Sequence, residues 1–235
     1  MQHVAIIPAA GVGKRFGGPQ PKQYTTVAGI PVLVHTLRVF QRCGLIDGIV
    51  VAISEEYRET LEALVEDYAL NKVRDILIGG SERQDSVAAA LQSPTARTAE
   101  IVLVHDAVRP CVSDELVLRV ISAAQHFGAA VPGIPLSDTI KEIDADGFVL
   151  RTPPRSGLRA VQTPQGFRRS LLQSALAHVR SRGMRVTDDA SAVEAFGHRV
   201  VLIDGEADNI KLTTRSDHER ITQYLAAAAS RRPAH

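Results

Sequence analysis

Cysteine is almost absent from this 235-residue chain, and the two present, Cys43 and Cys111, stand far apart. That excludes the density of a disulfide scaffold and the paired spacing of a zinc site, and makes a reducing cytoplasm the simplest setting. An excess of either charge is lacking too: 27 Lys and Arg against 26 Asp and Glu leave a formal net charge of +1. No bulk attraction to nucleic acid or membrane is implied, so basic groups matter only where they cluster. No apolar run approaches the roughly 20 residues that span a bilayer, and the N-terminus enters a strand without the basic and apolar regions of a secretory signal. Internal repeats and low-complexity linkers are missing. So is any convincing Ser-His-Asp or Cys-His arrangement for covalent catalysis.

What is present is the material of an ordinary globular protein, 45% hydrophobic and 23% charged, enough for one large α/β domain or two small ones. A single domain over residues 1–235 is the starting expectation. Apolar β-branched runs at Val4–Ile7, Gly48–Ile53, Ile76–Ile78, Ile101–Val104 and Ala129–Ile134 alternate with helical periodicity at Pro31–Arg42, Glu55–Tyr68, Gln84–Gln92 and Asp114–Phe127. This rhythm predicts an α/β fold with a mainly parallel, doubly wound sheet. Ser113 suits an N-cap, with Leu116, Val117, Val120 and Ile121 as the apolar face of its helix. The rhythm breaks after Pro135: Ser137–Arg155 shows two extended stretches around Asp146-Gly147, a polar hairpin that predicts an arm over 137–156 reaching towards a partner subunit. Helices return at Arg168–Arg182 and Asp189–Phe196, then a strand at Arg199–Ile203 and a last helix at Thr214–Ala229 before a tail, SRRPAH, expected to fray.

The stretch PAAGVGKRFGGPQPKQY, Pro8–Tyr24, reads as a phosphate loop that fits neither common signature. Counting from Gly11 and Gly13, the third glycine of a dinucleotide fingerprint falls on Phe16; for a Walker loop, Gly13-Lys14 is followed by Arg15 and the earlier glycine falls on Pro8. Small Ala9, Ala10 and Gly11 would let backbone N–H groups approach a ligand, with Lys14, Arg15 and Lys22 as charges for several phosphates. A solvated surface turn fits the same pattern equally well.

Other stretches divide similarly. VLVHDAVRP ends an apolar strand in Asp106 and Arg109, where a carboxylate could hold Mg²⁺ beyond the carboxyl end of a sheet strand, or simply cap and pair with arginine. His105 reads as a satisfied structural histidine and receives no role. GGSERQDSV, Gly79–Val87, with Gly80 and Ser86, suits a base or ribose contact, or an ordinary strand-to-helix turn. In ADNIKLT, Asp208 and Lys211 pair a metal-ligand type with a phosphate-clamp type; in VQTPQGF, Thr163 suits a phosphate or a backbone contact. TDDAS, Thr187–Ser191, reads as an N-cap with helix-dipole support rather than a catalytic pair.

Taken in order, PAAGVGKR…PKQY, VHDAVRP, SDTIK, QTPQ, TDDAS and DNIKLT resemble the 2-C-methyl-D-erythritol 4-phosphate cytidylyltransferase family from Val4 to about Leu225. The resemblance implies a Rossmann-like nucleotidyltransferase fold, CTP and methylerythritol phosphate as substrates, Mg²⁺ or another divalent cation, release of pyrophosphate, and a homodimer joined through the β-arm. It implies transition-state stabilisation by Arg15 and Lys22, and CTP held at Ala9, Ala10, Gly11, Gly13, Lys14, Gly80, Ser86 and Ala107. Metal falls to Asp106 and Asp208; the acceptor falls to Asp106, Arg109, Thr139, Arg155, Thr163 and Lys211, with Arg155 and Lys211 orienting it for attack.

Two positions depart from that pattern. Many members carry Arg where Lys14 stands, and lysine lacks arginine's bidentate fork; many carry an acidic residue where Ser81 stands, which is therefore left out of the expected site. The chain ends without the cyclase domain some relatives carry, so a single activity is expected. A ribitol 5-phosphate cytidylyltransferase of the same fold and a non-catalytic CTP-binding regulator are the alternatives.

Overall fold

The computed structural model of the protein describes residues 2–11 and 20–230. Gly13, Lys14 and Arg15, and the expected frayed tail from residue 231 on, lie outside the described residues.

The elements follow in chain order: β1 (His3–Pro8), β2 (Thr26–Val27), β3 (Ile30–Pro31), α1 (Val32–Arg42), β4 (Gly48–Ile53), α2 (Arg58–Asp67), β5 (Val73–Ile78), α3 (Arg83–Ala90), α4 (Pro94–Arg97), β6 (Ile101–Val104), α5 (Asp114–Phe127), β7 (Ala129–Pro135), β8 (Glu142–Ile143), β9 (Val149–Arg151), β10 (Arg159–Val161), β11 (Gln165–Arg168), α6 (Arg169–Ser181), α7 (Asp189–Ala195), β12 (Val201–Asp204) and α8 (Arg215–Ser230). In the main sheet the order is β10-β7-β11-β6-β1-β4-β5, with β12 also paired to β7. Strands β6, β1, β4 and β5 run parallel, as the alternation predicts.

Period-two alternation along the central strands separates two cores. Ala5, Ile7, Ile49, Val51, Ile53 and Leu103 face α1 and α5, meeting Leu37, Phe40, Leu116 and Val120. Val4, Ile6, Val50, Val102 and Val104 face the other way, meeting Val87 of α3, Leu172 and Val179 of α6, and Val193 of α7. Both faces are covered, so these strands read as unbroken hydrophobic runs rather than alternating ones. Each such side chain contributes about 1.5–3 kcal/mol by leaving water, and truncating Ile6 to Ala would cost about 2–5 kcal/mol.

Helix α5 starts as its sequence dictates: Ser113 Oγ accepts from Leu116 N at 2.9 Å, and the helix ends at Gly128 with φ +85°. The arm is a separate two-stranded sheet, β8 against β9. Its turn is set by Asp144 Oδ1, which accepts from Asp146 N and Phe148 N at 3.0 and 2.9 Å, and by Gly147 at φ +89°, a value that side chains disfavour. Phe148, Val149 and Leu150 stand exposed there.

The sequence rhythm missed β10 and β11. One extended segment, 159–168, pairs antiparallel along a single edge of β7, and β11 thereby fills the place between β6 and β7. Strand β12 takes the opposite edge of β7. Three- and four-residue strands containing Arg159 and Gly166 carry too few apolar residues to show a period. Gly166 is required by its neighbours, because a Cβ there would stand 2.6 Å from Val120 Cγ1 of α5.

Candidate active site

Four parallel strands end side by side, and the turns beyond their carboxyl ends build one cleft of about 210 Å³. After β1 come Ala9, Ala10 and Gly11; after β5 come Gly80, Ser81 and Glu82; after β6 come Asp106, Ala107 and Val108. Lys22, Gln23, Arg83, Ser86 and Lys211 complete the lining.

Short contacts lock these turns together. Ala9 N donates to Ala52 O at 2.6 Å, and Ser54 Oγ donates to Ala10 O at 2.9 Å, so β4 fixes the start of the glycine loop. Gln23, buried beside Lys22, donates from Nε2 to Ala9 O and Gly11 O at 2.7 and 3.1 Å, which ties Lys22 to that same loop. Ser86 Oγ accepts from Gly80 N at 3.1 Å and donates to Glu82 O at 3.3 Å. A Cβ on Gly80 would collide with Asp85 Cβ, so only glycine allows this turn to close on α3.

Asp106 is the electrostatic centre. Lys211 Nζ lies 2.9 Å from its Oδ2, Arg109 Nε lies 3.3 Å from the same oxygen, and Arg83 Nε lies 3.8 Å from Oδ1. Burial by itself would raise the Asp106 carboxyl; the charges of Lys211, Arg83 and Arg109 overcome it and hold the group far below the usual carboxylate range. Lys211 reaches this place because its segment is strapped down. Arg109 Nη1 donates to Asn209 O at 2.8 Å, Leu212 N donates to Val108 O at 2.9 Å, and Gln162 Nε2 donates to Glu206 O at 2.7 Å.

Arg83 was not among the expected site residues. It extends from the first turn of α3, where GGSERQDSV had drawn attention to Gly80 and Ser86 only. Its Nη1 lies 2.6 Å from Oδ2 of Asp189, a carboxylate that is 1% exposed. Burial raises Asp189 against the opposing charge of Arg83, while Asp189 and Asp106 together keep the guanidinium charged. TDDAS therefore does two things. Asp188 caps α7 as expected, accepting from Ser191 N at 2.9 Å, and Asp189 anchors Arg83 beside Asp106. Ser81, left out of the expected site, lines the cleft and donates to Asp85 Oδ2 at 3.3 Å.

Of the expected residues, Ala9, Ala10, Gly11, Lys22, Gly80, Ser86, Asp106, Ala107 and Lys211 share this cleft. Arg109 and Thr163 stand against Asp106, the latter through a hydrogen bond from Asp106 N to Oγ1 at 3.1 Å. Thr139 and Arg155 do not line the cleft; both are exposed at the base of the arm, where Arg155 Nη1 donates to Ser137 O. Asp208 is exposed and also outside the lining. A larger hollow of about 800 Å³ between α1, Pro110–Glu115 and α8 contains none of the glycine turns.

His105 is fully buried, bonded to Thr163 and Arg109, and its imidazole is pushed down to about 4 chiefly by burial. Its reading as a satisfied structural histidine holds as far as its hydrogen bonds are concerned.

Small-residue turns and clustered cations around one carboxylate, at the carboxyl ends of parallel strands, define a nucleotide-handling α/β enzyme. A family model described as 2-C-methyl-D-erythritol 4-phosphate cytidylyltransferase matches residues 3–227. The chain belongs to that family. It is 42% identical over 215 residues to the Bacillus thuringiensis protein of that name, covering 92% of this chain and 94% of the relative. The crystal structure of 4-diphosphocytidyl-2C-methyl-D-erythritol synthase from Anaerococcus prevotii aligns with a TM-score of 0.83 at 33% identity, over 96% of both chains. That of the cytidylyltransferase from Thermus thermophilus aligns with a TM-score of 0.77 at 38% identity, over 95% of this chain and 98% of the other. The expected α/β fold and family stand. Among the described residues no helix is long and apolar enough to cross a membrane.

Proposed function

We propose that this chain joins CTP and 2-C-methyl-D-erythritol 4-phosphate to give 4-CDP-2-C-methyl-D-erythritol and pyrophosphate, a step in making isoprenoid precursors, in the cytoplasm. The observation that carries this reading is the cleft itself: cations converging on Asp106 beside small-residue turns able to admit a triphosphate.

The acceptor's phosphate is largely dianionic at neutral pH and is already a nucleophile. One of its oxygens forms a bond to the α-phosphorus of CTP, the bond to the β-phosphate bridge oxygen breaks, and pyrophosphate leaves with that electron pair. No general base is required. The barrier is electrostatic, since two anions must meet and charge gathers on the α-phosphoryl oxygens and the leaving group. Lys22 and Arg15 oppose that charge on the CTP side, with Lys14 assigned to the same triphosphate, while backbone at Ala9, Ala10, Gly11, Gly13, Gly80 and Ala107 admits the nucleotide. Ser86 serves by holding the Gly80 turn. On the acceptor side Lys211 and Arg109 present positive charge over Asp106.

A divalent cation, expected as Mg²⁺, suits this residue set. Asp106 Oδ2 is taken by Lys211 and Arg109, but the contact at Oδ1 is longer than a hydrogen bond. Mg²⁺ commonly takes one or two carboxylates and completes its shell with phosphate and water. Asp106 would hold it, with Asp208 as a second carboxylate only if that exposed segment turns inward. When bound, such an ion supplies charge to the polyphosphate.

Thr139 and Arg155 lie away from this chain's own cleft, on a hairpin with exposed Phe148, Val149 and Leu150. A homodimer in which each arm delivers these residues to its neighbour's site accounts for both features. Purified protein with CTP, Mg²⁺ and each phosphorylated polyol, followed by pyrophosphate release, tests the reading. Release with methylerythritol phosphate supports it; release only with ribitol 5-phosphate, or CTP binding without release, replaces it.

A further inference from the structure

We infer that Gln162 and Gln165 are positioning residues: two side-chain amides on either side of Thr163-Pro164 hold the segments that carry Lys211 and Arg83 to different oxygens of Asp106. The kinetic half of the test rests on the cytidylyltransferase reading; the geometry does not.

Both glutamines are buried, 5% and 1% exposed, where β10 ends and β11 begins. Those strands pair with β7, and Gln162 N donates to Pro132 O at 2.8 Å, so the amides project from a fixed base. An amide offers a donor and an acceptor side by side, which lets it pair with backbone N–H and C=O together. Gln162 does so at Glu206: its Nε2 donates to Glu206 O at 2.7 Å and its Oε1 accepts from Glu206 N at 3.1 Å. A Cβ on Gly205 would stand 2.6 Å from that Oε1, so glycine there lets the amide reach the chain. Asn209 Nδ2, which donates to Thr163 O at 2.7 Å, adds a tie two residues before Lys211.

Gln165 repeats the arrangement on the other segment. Its Nε2 donates to Asp188 Oδ2 at 2.7 Å and its Oε1 accepts from Ala190 N at 3.1 Å. Asp189 is thereby held between two bonded residues, and its Oδ2 lies 2.6 Å from Arg83 Nη1. The two clamps end on one carboxylate, with Lys211 Nζ 2.9 Å from Oδ2 of Asp106 and Arg83 Nε 3.8 Å from Oδ1. Thr163, between the clamps, keeps its hydroxyl beside Asp106 N, at the place expected for an acceptor contact. Neither glutamine lines the cleft, so each acts through the cation it positions.

Glutamine-labelled ¹⁵N NMR of the wild-type protein provides the first test. Side-chain NH₂ protons of Gln162 and Gln165 should exchange with water about 100-fold more slowly than those of the exposed Gln2 and Gln92. Exchange as fast as in those two, at either residue, overturns its clamp. This measurement requires no substitution, so a variant that does not fold leaves it intact.

In turnover assays Gln162→Met, close in volume but without the amide, should lower kcat about tenfold, the effect of one lost buried hydrogen bond. The KM for CTP should stay within about twofold. Combined with Lys211→Ala it should bring no further loss, because the clamp acts through that lysine. Gln165→Met should lose a similar amount alone, and about tenfold again in the Lys211→Ala background, since its path runs through Arg83. Equal behaviour of the two glutamines in that background marks a merely structural role and overturns the inference. If wild-type protein turns over no acceptor, the cytidylyltransferase reading fails and the exchange measurement alone decides the clamps.

Discussion

Lys211 Nζ and Asp106 Oδ2 meet at 2.9 Å, joining the segment after β12 to the end of β6. Removing Lys211 separates charge delivered to substrate from charge that merely holds the fold. Asp106 retains Arg109 and Arg83, and Lys211 is 44% exposed, so Lys211→Ala should cost less than about 1 kcal/mol in urea unfolding. Pyrophosphate release should fall about 100- to 1000-fold, as for loss of one preorganised charge contact. Turnover at the wild-type rate would remove Lys211 from the chemistry.

The opposite balance is expected at Asp189. Asp189→Ala takes from Arg83 its 2.6 Å partner, the 1% exposed Asp189 carboxylate. The Arg83 side chain is 31% exposed and keeps Asp106 3.8 Å away, so the loss should be about 1–3 kcal/mol, less than for a fully buried pair. A urea midpoint close to that of the wild type would show that Arg83 reaches water or another carboxylate instead.

The arm gives a prediction about two chains at once. If chains pair through the arm as proposed, the Lys22→Ala and Arg155→Ala proteins should each be nearly inactive. Mixed dimers should regain activity, because one of the two sites then combines an intact Lys22 with an intact Arg155. Tandem purification through a different affinity tag on each variant establishes that heterodimers form, and formation without recovered turnover would mean that each chain completes its own site.

Acid should weaken the fold through His105. The imidazole is held down to about 4 in the folded chain against an ordinary 6.5, so between those values the unfolded chain binds the extra proton. Stability therefore falls as pH drops from 6.5 towards 4. At about 1.4 kcal/mol per pH unit the loss is on the order of 3 kcal/mol. Asp106 adds little in this window, because above the ordinary value of 3.8 its carboxyl is ionised in the unfolded chain as well as in the fold; its contribution is lost below that, where the unfolded chain takes up the proton first. Urea unfolding across pH 4–7 for wild type and His105→Asn checks the assignment, and the variant's profile should be flatter by that amount.

Local signals carried much of this structure. Helix α5 was readable because its cap, its apolar face and its stop glycine lie within sixteen consecutive residues, Ser113 to Gly128. The central strands were readable because both of their faces are buried. Strands β10 and β11 were not, since they are short and take their place from β7 and β6, tens of residues earlier in the chain. Gly80, Ser86, Asp106 and Lys211 were found as isolated stretches that the folded sheet edge brings together. Arg83 escaped notice because nothing near it in sequence marks its role: its partner Asp189 lies 106 residues away. Adjacent aspartates before a helix look alike in sequence, and only burial separates the cap at Asp188 from the anchor at Asp189.

The place of β11 between β6 and β7 has a bearing on how the protein is made. A ribosome delivers β1, β4, β5 and β6 first, and these four already form a contiguous parallel sheet. The outer edge of β6 then has no permanent neighbour until residues 165–168 have emerged, after the whole arm. During that interval an apolar strand offers unpaired N–H and C=O groups to any other nascent chain. Slowing translation between Ala129 and Arg168 would lengthen the exposure, and the growing polypeptide would depend most on chaperones over that span.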